Sequence, residues 1–123
     1  MLSPMMMVFS GLQWRRRRMA KFYSPRNPSN TRIYDGRKVV AAVGTAECLV
    51  SESTPCRVVI ITAETNNTGV IVVGGSTVVS TLASRRGTPL LTGESITIDI
   101  SNLNKIYLDT TVNGDGVTYT YLR

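Results

Sequence analysis

The fold is constrained most by a succession of short segments rich in β-branched residues, which turn signals separate at intervals of about 8–12 residues. Residues 57–63 form a nearly continuous β-branched run, which predicts a strand buried on both faces. Ile96, Ile98 and Ile100 alternate with polar residues, which predicts a strand with one buried face. Further strands are predicted at residues 39–43, 45–50, 70–73, 77–81, 105–109 and 117–122.

No window of helical length shows the period of an amphipathic helix, so helix should be minor. The spacing predicts an all-β fold, a single small β-sandwich or jelly-roll-like barrel of about seven or eight short antiparallel strands. The final strand should belong to the sheet and not form a loose tail. The 123 residues suffice for one domain with a core and are too few for two.

Residues 1–38 show neither the period of a helix nor that of a strand, and they contain Pro4, Pro25 and Pro28. This predicts an extended N-terminal arm before a β-domain at residues 39–123. The arm holds nine of the fourteen Lys and Arg residues and one acid, giving +8, whereas the domain carries −2. An arm of this length could reach about 100 Å if extended, so we expect it to cross onto a neighbouring subunit. Its candidate interaction residues are Lys21, Phe22, Tyr23, Arg26, Arg32, Tyr34, Arg37 and Lys38.

The run Arg15–Arg18 has two interpretations. As part of a basic arm it would neutralise nucleic-acid phosphates. It also lies immediately before Met19-Ala20-Lys21, which reads as an ordinary bacterial or phage start, and translated purine-rich ribosome-binding sequences spell arginine pairs. The second interpretation is the hypothesis that residues 1–18 are not translated natively and that the native chain begins at Met19 or Ala20. Without the four arginines the net charge falls from +6 to +2, which removes most of the argument for nucleic-acid binding.

The residue types argue against catalysis. Without histidine, the commonest general base and metal ligand is missing, and two cysteines alone cannot build a structural zinc site. Cys48 and Cys56 flank a turn, so they form either a hairpin disulfide or two small buried hydrophobic residues. The acids of the domain are scattered singly and are predicted to be solvated: Glu47, Glu52, Glu64, Glu94, Asp99, Asp109 and Asp115.

Residues 113–116 are better explained by a hairpin turn than by a calcium loop, because the other acidic positions of such a loop are missing. The apolar run at residues 5–9 is too short to span a bilayer. We therefore predict no enzyme, no cofactor, no metal and no membrane span.

Three tyrosines are the candidate interaction residues of the domain: Tyr107, Tyr119 and Tyr121. The alternating pair on the last predicted strand could stack nucleic-acid bases, and exposed aromatics could also bind carbohydrate. The favoured interpretation is a cross-strand aromatic pair that covers the core or a subunit edge, because a domain at −2 does not attract phosphates.

Several ordered motifs also carry a family resemblance: Ser53-Thr54-Pro55-Cys56 before a Val/Ile strand, then residues 67–74, 89–97, 103–109 and 114–117. The series covers about residues 43–122 and resembles small virion proteins of tailed bacteriophages. The resemblance implies a β-sandwich that serves as a capsid decoration (cement) protein, with a head–tail, tail or fibre component as the alternative. It implies a major capsid protein or other virion subunits as partners, and location in the virion after assembly in the host cytoplasm.

A β-domain this small exposes sheet edges, and such edges are normally covered, paired or used. We therefore expect a homo-oligomer, a dimer or a trimer, with an edge or a tyrosine-bearing face buried between copies. The rival hypothesis is a nucleic-acid-binding protein that uses the basic arm.

Overall fold

The computed structural model describes residues 31–123, which form eight strands and two short 3-10 helices, at Leu82–Ser84 and Leu103–Lys105. The strands are β1 (Ile33–Val39), β2 (Glu47–Cys48), β3 (Val58–Ala63), β4 (Ile71–Gly74), β5 (Thr88–Leu90), β6 (Ser95–Asp99), β7 (Tyr107–Thr110) and β8 (Gly116–Leu122). The described residues include no helix that is long and apolar enough to cross a membrane.

The strands form two four-stranded antiparallel sheets. Sheet one has the order β1-β8-β3-β6, and sheet two has the order β2-β7-β4-β5. The chain therefore pairs its first strand with its last, its second with its seventh, its third with its sixth, and its fourth with its fifth. This nesting is one long antiparallel ribbon folded over on itself, which is the jelly-roll arrangement. The predicted all-β sandwich is confirmed.

The core lies between the inner faces of the two sheets. On β3 the side chains of Val59, Ile61 and Ala63 are fully buried, while Ile60 between them is 44% exposed. The prediction that residues 57–63 are buried on both faces is therefore wrong, because no described segment covers the outer face of this strand. Ile96 and Ile98 of β6 pack against the core as their alternation predicts.

The sheet begins earlier than predicted. Residues 33–38, assigned to the arm, belong to β1 and pair with β8 from Ile33 opposite Leu122 to Val39 opposite Gly116. The predicted boundary at residue 38 is wrong because β1 is fixed by a partner at the other end of the sequence. The last strand does lie inside the sheet, between β1 and β3. The rest of the predicted arm, including the interpretation of residues 1–18, lies outside the described residues.

Two more predictions fail between β4 and β6. Residues 77–81 form no strand, and only Val79 makes a bridge, to Arg86. Conversely, β5 lies where no strand is predicted. It contains Pro89, which an edge strand tolerates because one side of its backbone needs no ladder partner. Residues 75–87 instead form a long excursion, called here the covering loop.

Candidate interaction surfaces

The covering loop lies on the outer face of sheet two. Val72 of β4 points away from the core and is nevertheless fully buried. Val78 and Ser80 of the loop are also buried, and Gly87 approaches so closely that a Cβ there would be 2.7 Å from a Val72 methyl group. Sheet two therefore has its core on one side and a layer of its own chain on the other.

Asp109 holds this layer in place. Its Oδ1 accepts hydrogen bonds from the backbone N–H groups of Gly44 and Thr110, both at 2.9 Å. Its Oδ2 accepts from the N–H of Ser80 at 2.8 Å. One carboxylate on β7 thus ties both the β1–β2 loop and the covering loop to sheet two.

Two of the acids predicted to be solvated are therefore buried. Asp109 is 1% exposed and Asp115 is 5% exposed. Asp115 accepts hydrogen bonds from Thr68 N at 3.1 Å and from Gly69 N at 2.7 Å, which fixes the β3–β4 turn. Asp109 and Asp115 are buried for the same reason. Backbone N–H groups in loops have no partner strand and need hydrogen-bond acceptors, and each aspartate carboxylate supplies two acceptor oxygens. Residues 113–116 likewise join β7 of one sheet to β8 of the other, so they are not a hairpin turn.

The outer face of sheet one, called here the bare face, has no such cover among the described residues. The register across β8, β3 and β6 places Thr120, Ile60 and Thr97 in one row and Thr118, Thr62 and Ser95 in the next. A third row holds Ile33, Leu122, Val58 and Asp99. Ile33 is 72% exposed, and the centre of the face carries methyl and hydroxyl groups but no charge.

One end of the bare face is closed by an ion pair. Arg37 donates from Nε to Glu64, and from Nη2 to Glu64 Oε1 at 3.0 Å. The hydrogen bond from Arg37 lowers the pKa of Glu64 and outweighs the effect of partial burial. The two residues line an open depression with Thr62 and Thr118, and because their charges cancel, that depression attracts neither an anion nor a cation strongly.

The tyrosines of β8 face the other way, toward the core. Tyr119 and Tyr121 pack against buried residues, and Tyr121 stacks on Tyr34 of β1 with 5.4 Å between ring centroids. The guanidinium of Arg123 lies 5.3 Å from the centroid of Tyr34. Burial is the main reason that the pKa of Tyr119 is raised. Tyr34, Tyr119 and Tyr121 therefore form an aromatic group across β1 and β8 that closes the β1 side of the core.

Gly36 is required under this aromatic group. It pairs with Tyr119 across the two strands, and a Cβ at Gly36 would lie within 2.8 Å of the Tyr119 ring at Cε2. Tyr107 is separate from the group. It lies on sheet two next to the core residue Leu108, so its side chain points to the outer face of that sheet. Sequence reasoning missed Tyr34 as a member because only the pairing of the two chain ends brings it there.

The arm candidates that the structure describes do not converge on one basic patch. Arg32 precedes β1, Tyr34 and Lys38 lie on its core side, and Arg37 lies on the bare face. Lys38 contacts Glu47 at 3.1 Å. Burial acts to raise the pKa of Glu47, but the hydrogen bonds from Ala42 N–H and Lys38 outweigh it and the pKa is lowered. Lys21, Phe22, Tyr23 and Arg26 lie outside the described residues.

The two cysteines are free and half-buried, so the disulfide alternative is not the one adopted. Cys48 donates to the carbonyls of Val50 and Asn104, both at 3.1 Å, and Cys56 donates to the carbonyl of Ile100 at 3.2 Å. Burial raises the pKa of the Cys56 thiol. Residues 31–123 contain no group of three or more Cys, Asp or Glu side chains placed to hold a metal ion.

Comparison with protein-family models, with curated proteins and with solved structures gives no significant match.

Proposed function

We propose that this chain is a structural protein of a bacteriophage particle, a capsid decoration protein that binds the capsid lattice through the bare face. The observation that carries the proposal is the asymmetry of the sandwich. Among the described residues, a loop covers the outer face of sheet two and nothing covers the outer face of sheet one, where Ile60 is exposed at the centre. The sequence resemblance to small virion proteins supplies the class of partner.

The composition of the bare face suits docking. Its interior rows carry Thr, Ile and Val, whose β-branched side chains have few rotamers to lose when a partner covers them. Charged side chains stand at the periphery, with Asp35 and Arg37 on β1 and Asp99 on β6. An uncharged centre inside a polar rim is the usual anatomy of a protein–protein interface. Jelly rolls recur in viral capsid and lectin domains, but a fold alone does not assign a function, so the face carries more weight than the topology.

A head–tail, tail or fibre component would use the same face and differ in where it sits on the particle. The nucleic-acid hypothesis has less support in the described residues. Arg37 and Lys38 are each paired with a glutamate of the same chain, which reduces the positive charge that they offer to a phosphate. Binding through the arm would show as a steep fall in affinity with salt.

The docking face is tested by changing its centre. Ile60→Asp is expected to weaken binding to particles assembled without this protein by about tenfold or more, because docking would bury an unpaired carboxylate. Ile60 is half-exposed in the free protein, so the fold should persist. Leu82→Asp is the matched control, since Leu82 is 78% exposed and belongs to the covering loop, not to the bare face. Co-sedimentation with purified particles measures both. Equal binding by the Ile60 variant and the original protein would remove the bare face from the proposal.

A further inference from the structure

Within residues 31–123, strand β1 has a backbone edge that no other strand pairs with. Arg32 and Arg123 exchange two backbone hydrogen bonds, at 3.0 and 3.1 Å. In an antiparallel pair such exchanges recur at every second residue, so the even-numbered residues of β1 bond to β8. The N–H and C=O groups of Ile33, Asp35, Arg37 and Val39 therefore point away from the sheet, and no described residue pairs with this edge.

The side chains along this edge are complementary to themselves. From the geometry we infer that two copies of the chain pair β1 with β1 in antiparallel fashion about a two-fold axis at Gly36. Asp35 then lies opposite Arg37 of the second copy, and Ile33 lies opposite Val39 of the second copy. Each of these opposed residues has its backbone groups on the free edge, so every opposed pair can exchange both hydrogen bonds.

No neighbouring register does as well. Because odd-numbered residues must oppose odd-numbered residues, the axis can lie at any residue of β1. At Tyr34 or Lys38 the charge pair is lost, since Asp35 would lie opposite Ile33 or Arg37 opposite Val39. An axis at Asp35 would place two aspartates opposite each other, and an axis at Arg37 would place two arginines opposite each other. Like charges directly opposed destabilise a strand pair, whereas opposite charges stabilise it. The charges therefore select the register centred on Gly36.

The residues involved are available for this contact. Asp35 makes no hydrogen bond or ion pair with any residue of the described chain. Arg37 uses only Nε and Nη2 toward Glu64, so donors remain on a guanidinium that carries five. Ile33 is 72% and Val39 is 39% exposed. Gly36 has no side chain, so the two strands meet at the axis without bulk between them.

The pairing would extend sheet one into a continuous sheet of eight strands and place the two bare faces side by side. A dimer would then offer the proposed lattice partner two docking faces, which raises avidity if both can engage at once. The dimer itself does not depend on the proposed function. The competing interpretation is that Asp35, Arg37 and Lys38 are edge charges that prevent strand pairing, which predicts a monomer.

Cysteine cross-linking tests the register. In a Cys48→Ala/Cys56→Ala background, Ile33→Cys/Val39→Cys should form a covalent dimer on oxidation, because hydrogen-bonded opposed residues lie about 5.5 Å apart at Cα, within the range of a disulfide. The two positions cannot bridge within one chain, since six residues of strand span about 20 Å. Ile33→Cys alone is the matched control, because the two copies of residue 33 would lie about as far apart in the dimer.

A charge exchange tests the selectivity. Asp35→Arg should weaken the dimer about tenfold or more in analytical ultracentrifugation, and Asp35→Arg/Arg37→Asp should restore it. A full-length protein that stays monomeric up to about 100 µM, or a single Ile33→Cys variant that cross-links as well as the double variant, would overturn the inference. The Ile60→Asp variant should still dimerise, so a failure of the dimer and a failure of particle docking are told apart.

Discussion

Replacing Asp109 by alanine is expected to lower the free energy of unfolding by about 3–5 kcal/mol. The substitution leaves the buried N–H groups of Ser80 and Thr110, and the more exposed N–H of Gly44, without their acceptor. Each buried donor without a partner costs about 1–3 kcal/mol, and hydrogen bonds to a charged acceptor are the stronger kind. Because small domains are stable by only about 5–15 kcal/mol, this single change removes a large share of the total. The midpoint of urea unfolding measures it.

Asp99→Ala is the matched control for Asp109, because Asp99 is exposed on the edge strand β6. Its free energy of unfolding should stay within about 0.5 kcal/mol of the original value. Amide hydrogen exchange locates the effect, since Gly44 and Ser80 should lose protection in the Asp109 variant before the β3 core does. A loss below about 1 kcal/mol would mean that the carboxylate does not hold the two loops.

Gly87→Ala is expected to cost about 2–4 kcal/mol, through backbone strain together with overpacking. Gly87 has a φ of 122°, in a region that residues with a side chain rarely adopt. Its new Cβ would also stand 2.7 Å from the Val73 carbonyl oxygen and 2.8 Å from a Val78 methyl group. A backbone carbonyl cannot rotate away as a side chain can, so the end of the covering loop has to shift.

Gly75→Ala, at the other end of the covering loop, provides the comparison for Gly87. A Cβ at Gly75 meets no heavy atom within 4 Å, and its φ is not positive. The change should be neutral within about 0.5 kcal/mol or slightly stabilising, because alanine restricts the unfolded chain. Urea unfolding of the two variants side by side decides the matter. Equal stability of both would show that the covering loop does not pack tightly on sheet two.

The sequence was most informative where a strand has a clear alternation and a core to face. The sequence predicts strands at residues 95–100 and 117–122 because apolar or aromatic side chains alternate there with polar ones. β1 could not be found this way, since Tyr34 and Gly36 face the core between charged residues. Strand β1 forms because β8, which lies about 80 residues later in the sequence, provides its backbone hydrogen-bond partners. The local sequence pattern of β1 does not indicate such a distant partner.

The exposure of the proposed docking face could not be predicted from the sequence for a related reason. A continuous β-branched run reads as a strand buried on both faces, and only the absence of a cover over β3 in the described structure turns Ile60 into a surface residue. The position of the covering loop could not be predicted either, because it depends on contacts with Val72 and Asp109, which lie on two different strands. Tyr119 and Tyr121 pack against the core together, because alternate positions on one strand share a face whatever the topology.

The most direct test of the account is an image of the particle at a resolution that shows strands. Electron cryomicroscopy of gradient-purified particles should show the eight-stranded domain at fixed sites on the outer surface of the capsid. The bare face, with Ile60 at its centre, should lie against the lattice, and the covering loop should face solvent. Absence of the protein from the particles would contradict the proposed function, and contact through the covering loop would contradict the docking face.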